Sequence, residues 1–351
     1  MIFTMSKGAL ANALGTVSKY AGQSEAYLAC VHIEAKEDRA TFSATDLTES
    51  ARCADMALVE EDGECLISAK RLNEIVKTLP DQAVTIEAYE DRAAIRCGKA
   101  NFAIPAMDPA DFPGTITFNA DDSVRIDSAT FAMMVGKCAR FAAKDDSKPI
   151  IKGILIEADG STLRMVATDS YRLICCETGC GSEFSVVVPA TFASAAASVK
   201  ASARDISISY DGSFVMIEDG GVTLATRRLE GNFPAWQRLM PDGVESSAEF
   251  DRAEIAGAVK RASTVGRNVP VSISFNDGTA RIEASSKDEG NMSEEVGCKS
   301  KGECFIKVNA AYASDVLSAF AFEHVTLGFN GTTKPLLMTE HGTRAIVMPV
   351  R

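Results

Sequence analysis

Histidine, tryptophan and long apolar runs are scarce in this chain. Three histidines (His32, His324, His341) and one tryptophan are spread over 351 residues. Histidines so far apart do not assemble a ligand set. The ten cysteines include no Cys-x-x-Cys pair, so no closed tetrahedral metal site is expected. No apolar stretch is long enough to cross a bilayer, and no membrane association is expected. Met1-Ile2-Phe3-Thr4 lacks the basic start and apolar core of a secretory signal. The expected setting is the cytoplasm, where the cysteines stay reduced and serve as small buried hydrophobes. A Gly-x-Gly-x-x-Gly run, a Walker loop and a Gly-x-Ser-x-Gly elbow are also missing, which argues against dinucleotide binding, nucleotide hydrolysis and acyl-transfer chemistry. Neither a cofactor nor a catalytic activity is expected.

A threefold internal repeat is present instead. Leu66-Ile67-Ser68-Ala69-Lys70, Val187-Val188-Pro189-Ala190-Thr191 and Lys307-Val308-Asn309-Ala310-Ala311 each end an apolar strand and open a helix, and Ser68, Pro189 and Asn309 lie 121 and 120 residues apart. These residue types suit an N-cap or the first helical position. Ala44-Thr45-Asp46 returns as Ala167-Thr168-Asp169 and more weakly as Ala284-Ser285-Ser286, and Phe112-Pro113 returns as Phe233-Pro234. Period-two alternation, as in Val84-Thr85-Ile86-Glu87-Ala88, marks strands. Asp-Gly pairs at 159–160, 211–212 and 277–278 mark turns between strands. The reading is α+β: three similar domains over 1–120, 121–247 and 248–351, each with two helices on antiparallel sheets. Asp46 and Asp169, at equivalent strand ends after Thr, are expected as turn residues rather than paired acid–base groups.

The charge is unevenly placed. The predicted helices (5–24, 68–79, 128–144, 189–204, 252–268 and 309–322) hold fourteen lysines and arginines against three acids, a net +11 in a chain whose total is −12. Helices depleted in acids suggest a surface turned toward a polyanion. No aromatics interleave with the basic residues to stack single-stranded bases, and no base-reading motif is present.

With these features the chain resembles the bacterial beta sliding clamps, the processivity subunits of replicative DNA polymerases. The resemblance runs over essentially the whole length. It is carried by SAKRLNEIVKTLP, by IPAMDPADFPG at 104–114, by KPIIKGILIEADGSTLRMVATDSYRL at 148–173, by RRLEGNFPAWQRLMP at 227–241 and by the terminal MPVR. It implies a clamp fold of three similar domains, closed into a ring by a head-to-tail homodimer. The helices would line a hole for double-stranded DNA, bound without sequence preference. It further implies that a short linear peptide motif of polymerases and clamp-loader subunits docks on the clamp. A paralogue that scaffolds repair or mobile-element replication factors is the alternative within the same resemblance.

Site residues carried over from the resemblance fall in three groups. The peptide pocket would be walled by Ile151, Thr168, Ser170, Tyr171, Arg172, Leu173, Pro234, Arg238, Leu239, Asn309, Tyr312, Pro335, Ile346, Val347, Met348, Pro349, Val350 and Arg351. The DNA-facing residues would be Lys7, Lys19, Lys70, Arg71, Lys77, Lys137, Arg140, Lys144, Lys148, Lys200, Lys260, Arg261 and Arg267. Phe102 would meet Thr264 and Val265 at the dimer interface. Two departures stand out: Ser170-Tyr171 replaces a common Gly-His, which narrows one end of the slot, and Thr264-Val265 replaces a larger aliphatic pair, which weakens ring closure.

Overall fold

The computed structural model describes residues 1–118, 122–199, 204–266 and 269–350. The expected boundary at 120–121, together with Lys200, Arg267 and Arg351, lies outside the described residues. The first repeat runs β1 (Ile2–Ser6), α1 (Lys7–Val17), β2 (Cys30–Lys36), β3 (Arg39–Thr45), β4 (Glu49–Met56), β5 (Leu58–Glu61), β6 (Gly63–Ser68), α2 (Ala69–Thr78), β7 (Ala83–Ala88), β8 (Arg92–Cys97) and β9 (Ala100–Met107). The second runs β10 (Asp122–Asp127), α3 (Ser128–Cys138), β11 (Gly153–Asp159), β12 (Thr162–Thr168), β13 (Arg172–Gly179), β14 (Glu183–Pro189), α4 (Ala190–Ala197), β15 (Asp205–Tyr210), β16 (Phe214–Asp219) and β17 (Val222–Arg227). The third runs β18 (Ser246–Asp251), α5 (Arg252–Ala262), β19 (Pro270–Asn276), β20 (Thr279–Ser286), β21 (Gly290–Gly297), β22 (Lys299–Lys301), β23 (Cys304–Asn309), α6 (Ala310–Ala319), β24 (His324–Phe329), β25 (Leu336–Glu340) and β26 (Thr343–Val347). Strand, helix, four or five strands, helix, three strands thus occurs three times, the expected α+β order.

Local chemistry explains the element ends. Ser6, Ser68, Asp251 and Asn309 each accept a backbone N–H of the helix they precede, meeting the demand of unpaired first-turn amides. The helices are shorter than the sequence suggested. The backbone after Val17 and after Ala262 tightens into 3-10 turns, Ser18–Tyr20 and Ser263–Val265, a usual way for a helix to end. Shorter helices change the charge argument. Among the described residues the six α-helices hold eight lysines and arginines against three acids, a net +5 rather than +11. Lys19, Arg140, Lys144 and Lys148 belong to the connections that follow α1 and α3.

By contacts the chain divides into two compact units, 1–128 with 198–228, and 129–197 with 229–351. Strand pairing explains why three repeats make two units. In the first, a sheet runs β10-β15-β16-β17-β4-β3-β2-β6-β9-β8-β7-β1-β5, so the closing strands of the middle repeat join the first repeat through β17 and β4. In the second, a sheet runs β14-β11-β12-β13-β26-β25-β24-β18-β22, beside a four-stranded sheet β21-β20-β19-β23. There the middle repeat joins the third through β13 and β26. Helices pack on these sheets by apolar faces: Leu10, Leu14 and Val17 of α1, Leu72, Ile75 and Val76 of α2, and Ile255 and Val259 of α5 are buried. Among the described residues no helix is long and apolar enough to cross a membrane.

Candidate functional site

The turn between β12 and β13 is held by side-chain hydrogen bonds to its own backbone. Thr168 Oγ1 donates to the Arg172 carbonyl at 2.7 Å and accepts from Ser170 N. Asp169 Oδ1 accepts from Tyr171 N and Arg172 N, both at 3.0 Å. The same device recurs at Thr45–Glu49, where Asp46 accepts from Thr48 N and Glu49 N. Asp46 and Asp169 are therefore turn residues, as expected. Leu47 and Ser170 take the left-handed conformation at the tips, with φ of 74° and 77°. A non-glycine residue there is uncommon and is held by the surrounding bonds.

Turn geometry throws Tyr171 outward, 59% exposed, onto Tyr312 of α6 with ring centroids 5.8 Å apart. The neighbouring Arg172 points inward. Its Nε donates to Asp169 at 3.0 Å, Nη1 to Asp315 at 2.5 Å and Nη2 to the Arg140 carbonyl at 2.9 Å, and its guanidinium lies 4.9 Å from the centroids of both Phe141 and Tyr312. Arg172 was expected in the wall of the peptide pocket, and it lines the cavity beside this turn without spending its donors there. Its donors instead tie the turn to α6 and to the segment after α3.

Beside this turn opens a cavity of about 220 Å³ lined by Lys148, Thr168, Ser170, Arg172, Leu173, Pro234, Leu239, Ile346 and Met348. Eight of these were expected pocket residues. The ninth, Lys148, was expected on the DNA-facing surface; its Nζ lies 3.4 Å from Ser170 Oγ. Leu173 and Ile346, opposite one another across the β13·β26 pair, floor the cavity as part of a core cluster with Trp236, Met240 and Leu337. Leu239 and Met348 are 45% and 37% exposed. Apolar floor, exposed apolar walls and a cation at the edge suit an apolar peptide segment. The volume is below the roughly 300–1,000 Å³ of small-molecule sites.

Other expected members stand around the cavity or in the core. Val347 and Ile151 are buried; Val347 pairs with Arg172 in the sheet. Asn309 spends its side chain capping α6. The C-terminal segment is tied down by a Val308–Pro349 bridge and by Val350 N donating to the Lys307 carbonyl. Arg238 is exposed and Pro335 half-buried, and neither lines the cavity. Trp236 was missed. It is buried, and its Nε1 donates to Glu157 at 3.1 Å, which fixes the segment bearing Pro234 and Leu239. Being the only tryptophan in the chain was the available signal.

The expected DNA-facing set needs one clear correction. Lys137 is buried and its Nζ donates to Glu340 at 2.8 Å and Thr343 at 3.0 Å. Glu340 is itself inaccessible and accepts from Ala321 N and Phe322 N through its other oxygen. Lys137 therefore belongs to the contact between α3 and the β25–β26 hairpin, because its position on α3 faces that hairpin rather than solvent. Lys19, Lys70, Arg71, Lys77, Arg140, Lys144, Lys148, Lys260 and Arg261 are exposed and Lys7 is half-buried. Arg261 is engaged by Glu294 of β21 at 2.5 Å. Of the expected dimer residues, Phe102 is half-buried, Thr264 exposed, and Val265 buried in the chain's own fold. Among the described residues no cluster of histidine, cysteine and carboxylates could hold a metal.

The three repeats correspond to known domain families. Residues 1–117, 125–235 and 237–351 match the models for the N-terminal, central and C-terminal domains of the DNA polymerase III beta subunit. A beta sliding clamp of Streptomyces coelicolor is 30% identical over 345 residues, covering 92% of each chain. The beta sliding clamp homolog GriR of Streptomyces muensis is 28% identical, over 100% of this chain and 99% of its own. A crystal structure of a Pseudomonas aeruginosa sliding clamp bound to griselimycin has the same fold, with a TM-score of 0.94 at 23% identity over 100% and 99% of the two chains. With all three domain models matched in order over nearly the whole sequence, this chain belongs to the DNA polymerase III beta subunit family, the beta sliding clamps.

Proposed function

We propose that this chain is the protomer of a homodimeric ring that encloses double-stranded DNA. It tethers a DNA polymerase, and the loader that opens the ring, through a short apolar peptide held in the cavity beside Tyr171. Its role is non-catalytic. Each protomer supplies three domains, 1–120, 121–247 and 248–351. DNA is retained by topology, so weak and dispersed cationic contacts serve better than tight ion pairs, which would hinder sliding. Exposed lysines and arginines such as Lys70, Arg71, Lys77 and Lys260 supply that field.

The observation that carries ring closure is a repeated strand register. Where β17 meets β4, Val222 faces Cys53; where β26 meets β13, Thr343 faces Cys176. Val222 and Thr343 are the first residues after equivalent hairpins, and Cys53 and Cys176 pair with Phe42 and Met165 at equivalent places on β3 and β12. One junction is therefore built twice in the same register. The third pair of equivalent edges, Ala100–Pro105 of β9 and β21, has no partner strand among the described residues. An open edge invites another strand. The same register sets Ala100 against Glu294 and Phe102 against Met292 of a second copy, and two such junctions close a two-copy ring.

Retention on nicked circular DNA after loading, with loss once the circle is linearised, is the expected behaviour. Equal retention on both would make the chain an ordinary DNA binder. Sedimentation at micromolar concentration is expected near twice the chain mass of 37.3 kDa, and Phe102→Arg is expected to halve it. A monomeric wild-type chain would remove the ring.

A further inference from the structure

Two thiols meet inside the second unit. Cys138 is the last residue of α3, Cys176 lies on β13, and their sulfurs are 3.9 Å apart. Both are buried. Cys138 Sγ also lies 3.3 Å from the Met165 carbonyl, and the Thr343 hydroxyl that receives Lys137 lies 4.0 Å from Cys176 Sγ. Nothing in the clamp reading uses this pair.

The repeats indicate the chemical character of the place. In the third repeat Arg261, next to the last residue of α5, pairs with Glu294 on β21. Lys137 holds the same position on α3. Cys176 stands where Glu294 stands, because each faces the equivalent residue of the preceding strand, Met165 or Ile282. A cation that meets a carboxylate in the third repeat thus has a sulfur within electrostatic reach in the second. The Lys137 charge favours thiolate at Cys176, against the opposing pull of burial and of the Glu340 carboxylate that Lys137 also meets. In keeping with it, the hydrogen bond from Cys138 and then the Lys137 charge hold the Cys176 thiol below its usual range, while burial pushes Cys138 up. The first repeat has Val17 and Cys53 at these places, so only the second can form a bridge there.

We propose that Cys138 and Cys176 are a reversible dithiol–disulfide couple, a modification site for hydroperoxides, which on oxidation pins the end of α3 to β13. The Cys176 thiolate attacks one oxygen of hydrogen peroxide. The O–O bond breaks, and the departing hydroxide takes a proton to become water, leaving a sulfenic acid. Cys138 sulfur then attacks the sulfenic sulfur; the S–O bond breaks, and the hydroxide leaves as water with the Cys138 proton. Two thiols lose two electrons to one peroxide. The sulfurs must close from 3.9 Å to about 2.05 Å. Because both thiols are buried, a small oxidant reaches them only through local opening of the end of α3. β13 also carries Arg172 and Leu173, so the lock acts on the strand that floors the peptide cavity.

The test uses the full-length chain. It is treated with hydrogen peroxide, its remaining thiols are alkylated in denaturant, and it is digested without reductant. The expected product is a peptide pair joined through Cys138 and Cys176 that dithiothreitol separates, with a raised Tm for the oxidised chain. Cys175→Ser is expected to keep the bridge and Cys176→Ser to abolish it. The proposal is overturned if both thiols remain alkylatable after the less buried Cys53, Cys180 and Cys298 have been oxidised, or if the bridge in the wild-type chain joins Cys175. Mapping the wild type decides the matter even if a variant fails to fold.

Discussion

The cavity beside Tyr171 and the cationic helix surfaces are built on opposite plans. In the cavity, residues from the β12–β13 turn, from β26 and from the segment fixed by Trp236 converge on about 220 Å³, over a floor that is continuous with the core. On α2, the exposed Lys70, Arg71 and Lys77 surmount a buried face of Leu72, Ile75 and Val76. Their ammonium and guanidinium groups act through a field that solvent screens over about 8–10 Å. A constellation loses function when one member is removed, whereas a field loses it in proportion. Lys137 teaches where the two plans divide. It occupies the helix position of Arg261, yet burial against Glu340 makes it a structural cation rather than a contributor to the field.

The sharpest way to test that division is Lys137→Met, which strands a carboxylate with no access to solvent. Breaking a buried pair in this way costs about 3–5 kcal/mol, and the lower end is expected because Glu340 keeps its two backbone donors. Urea unfolding would measure it; a variant as stable as the wild type would return Lys137 to the field. Next in size, Leu239→Ala combined with Met348→Ala should weaken binding of a short Leu- and Phe-containing peptide about 10–100-fold with little change in Tm, since both side chains are exposed. An unchanged Kd by fluorescence anisotropy would place the peptide elsewhere. Smaller still, Lys70→Ala and Lys77→Ala should each cost less than about 1 kcal/mol in DNA binding. Each should lower the salt slope by about 0.9 per contact. A loss of tenfold or more from either would make it a local contact and blur the comparison.

The least effect is expected from pH. Arg261 holds the Glu294 carboxyl below the usual carboxylate range. Because the folded value is the lower one, the pair's stabilisation is full above the unfolded value of about 4.3 and fades as pH falls through the folded value. Arg261→Gln should flatten that part of a stability–pH curve only slightly, as expected of an exposed pair. A loss as large as that from Lys137→Met would show the two cations to be equivalent after all.

Legibility followed the range of the interactions. Ser68 and Asn309 were readable as helix starts because a cap acts within three residues. Asp46 and Asp169 were readable as turn formers for the same reason. Eight cavity residues followed from the family resemblance, since motif spacing carries a site whose parts are far apart in sequence. Lys137 was misassigned, and the partners of Lys148 and Arg172 were not foreseen, for one reason: each was a charge on an apparently exposed segment. What each charge meets, Glu340, Ser170 or Asp315, depends on pairings that join distant strands and helices. Trp236 was overlooked because its partner, Glu157, lies on β11 rather than near it in the chain.

By itself the sequence determined the threefold repeat, the order of strands and helices, the helix caps and the turn chemistry, all of which rest on period, spacing and bonds between near neighbours. Tertiary structure alone decided which strands of the middle repeat join which neighbour and in what register, which cations are buried, and which two of ten thiols come together. Those outcomes depend on where distant segments stop relative to one another. Backbone hydrogen bonding and packing density set that, and no local pattern encodes it.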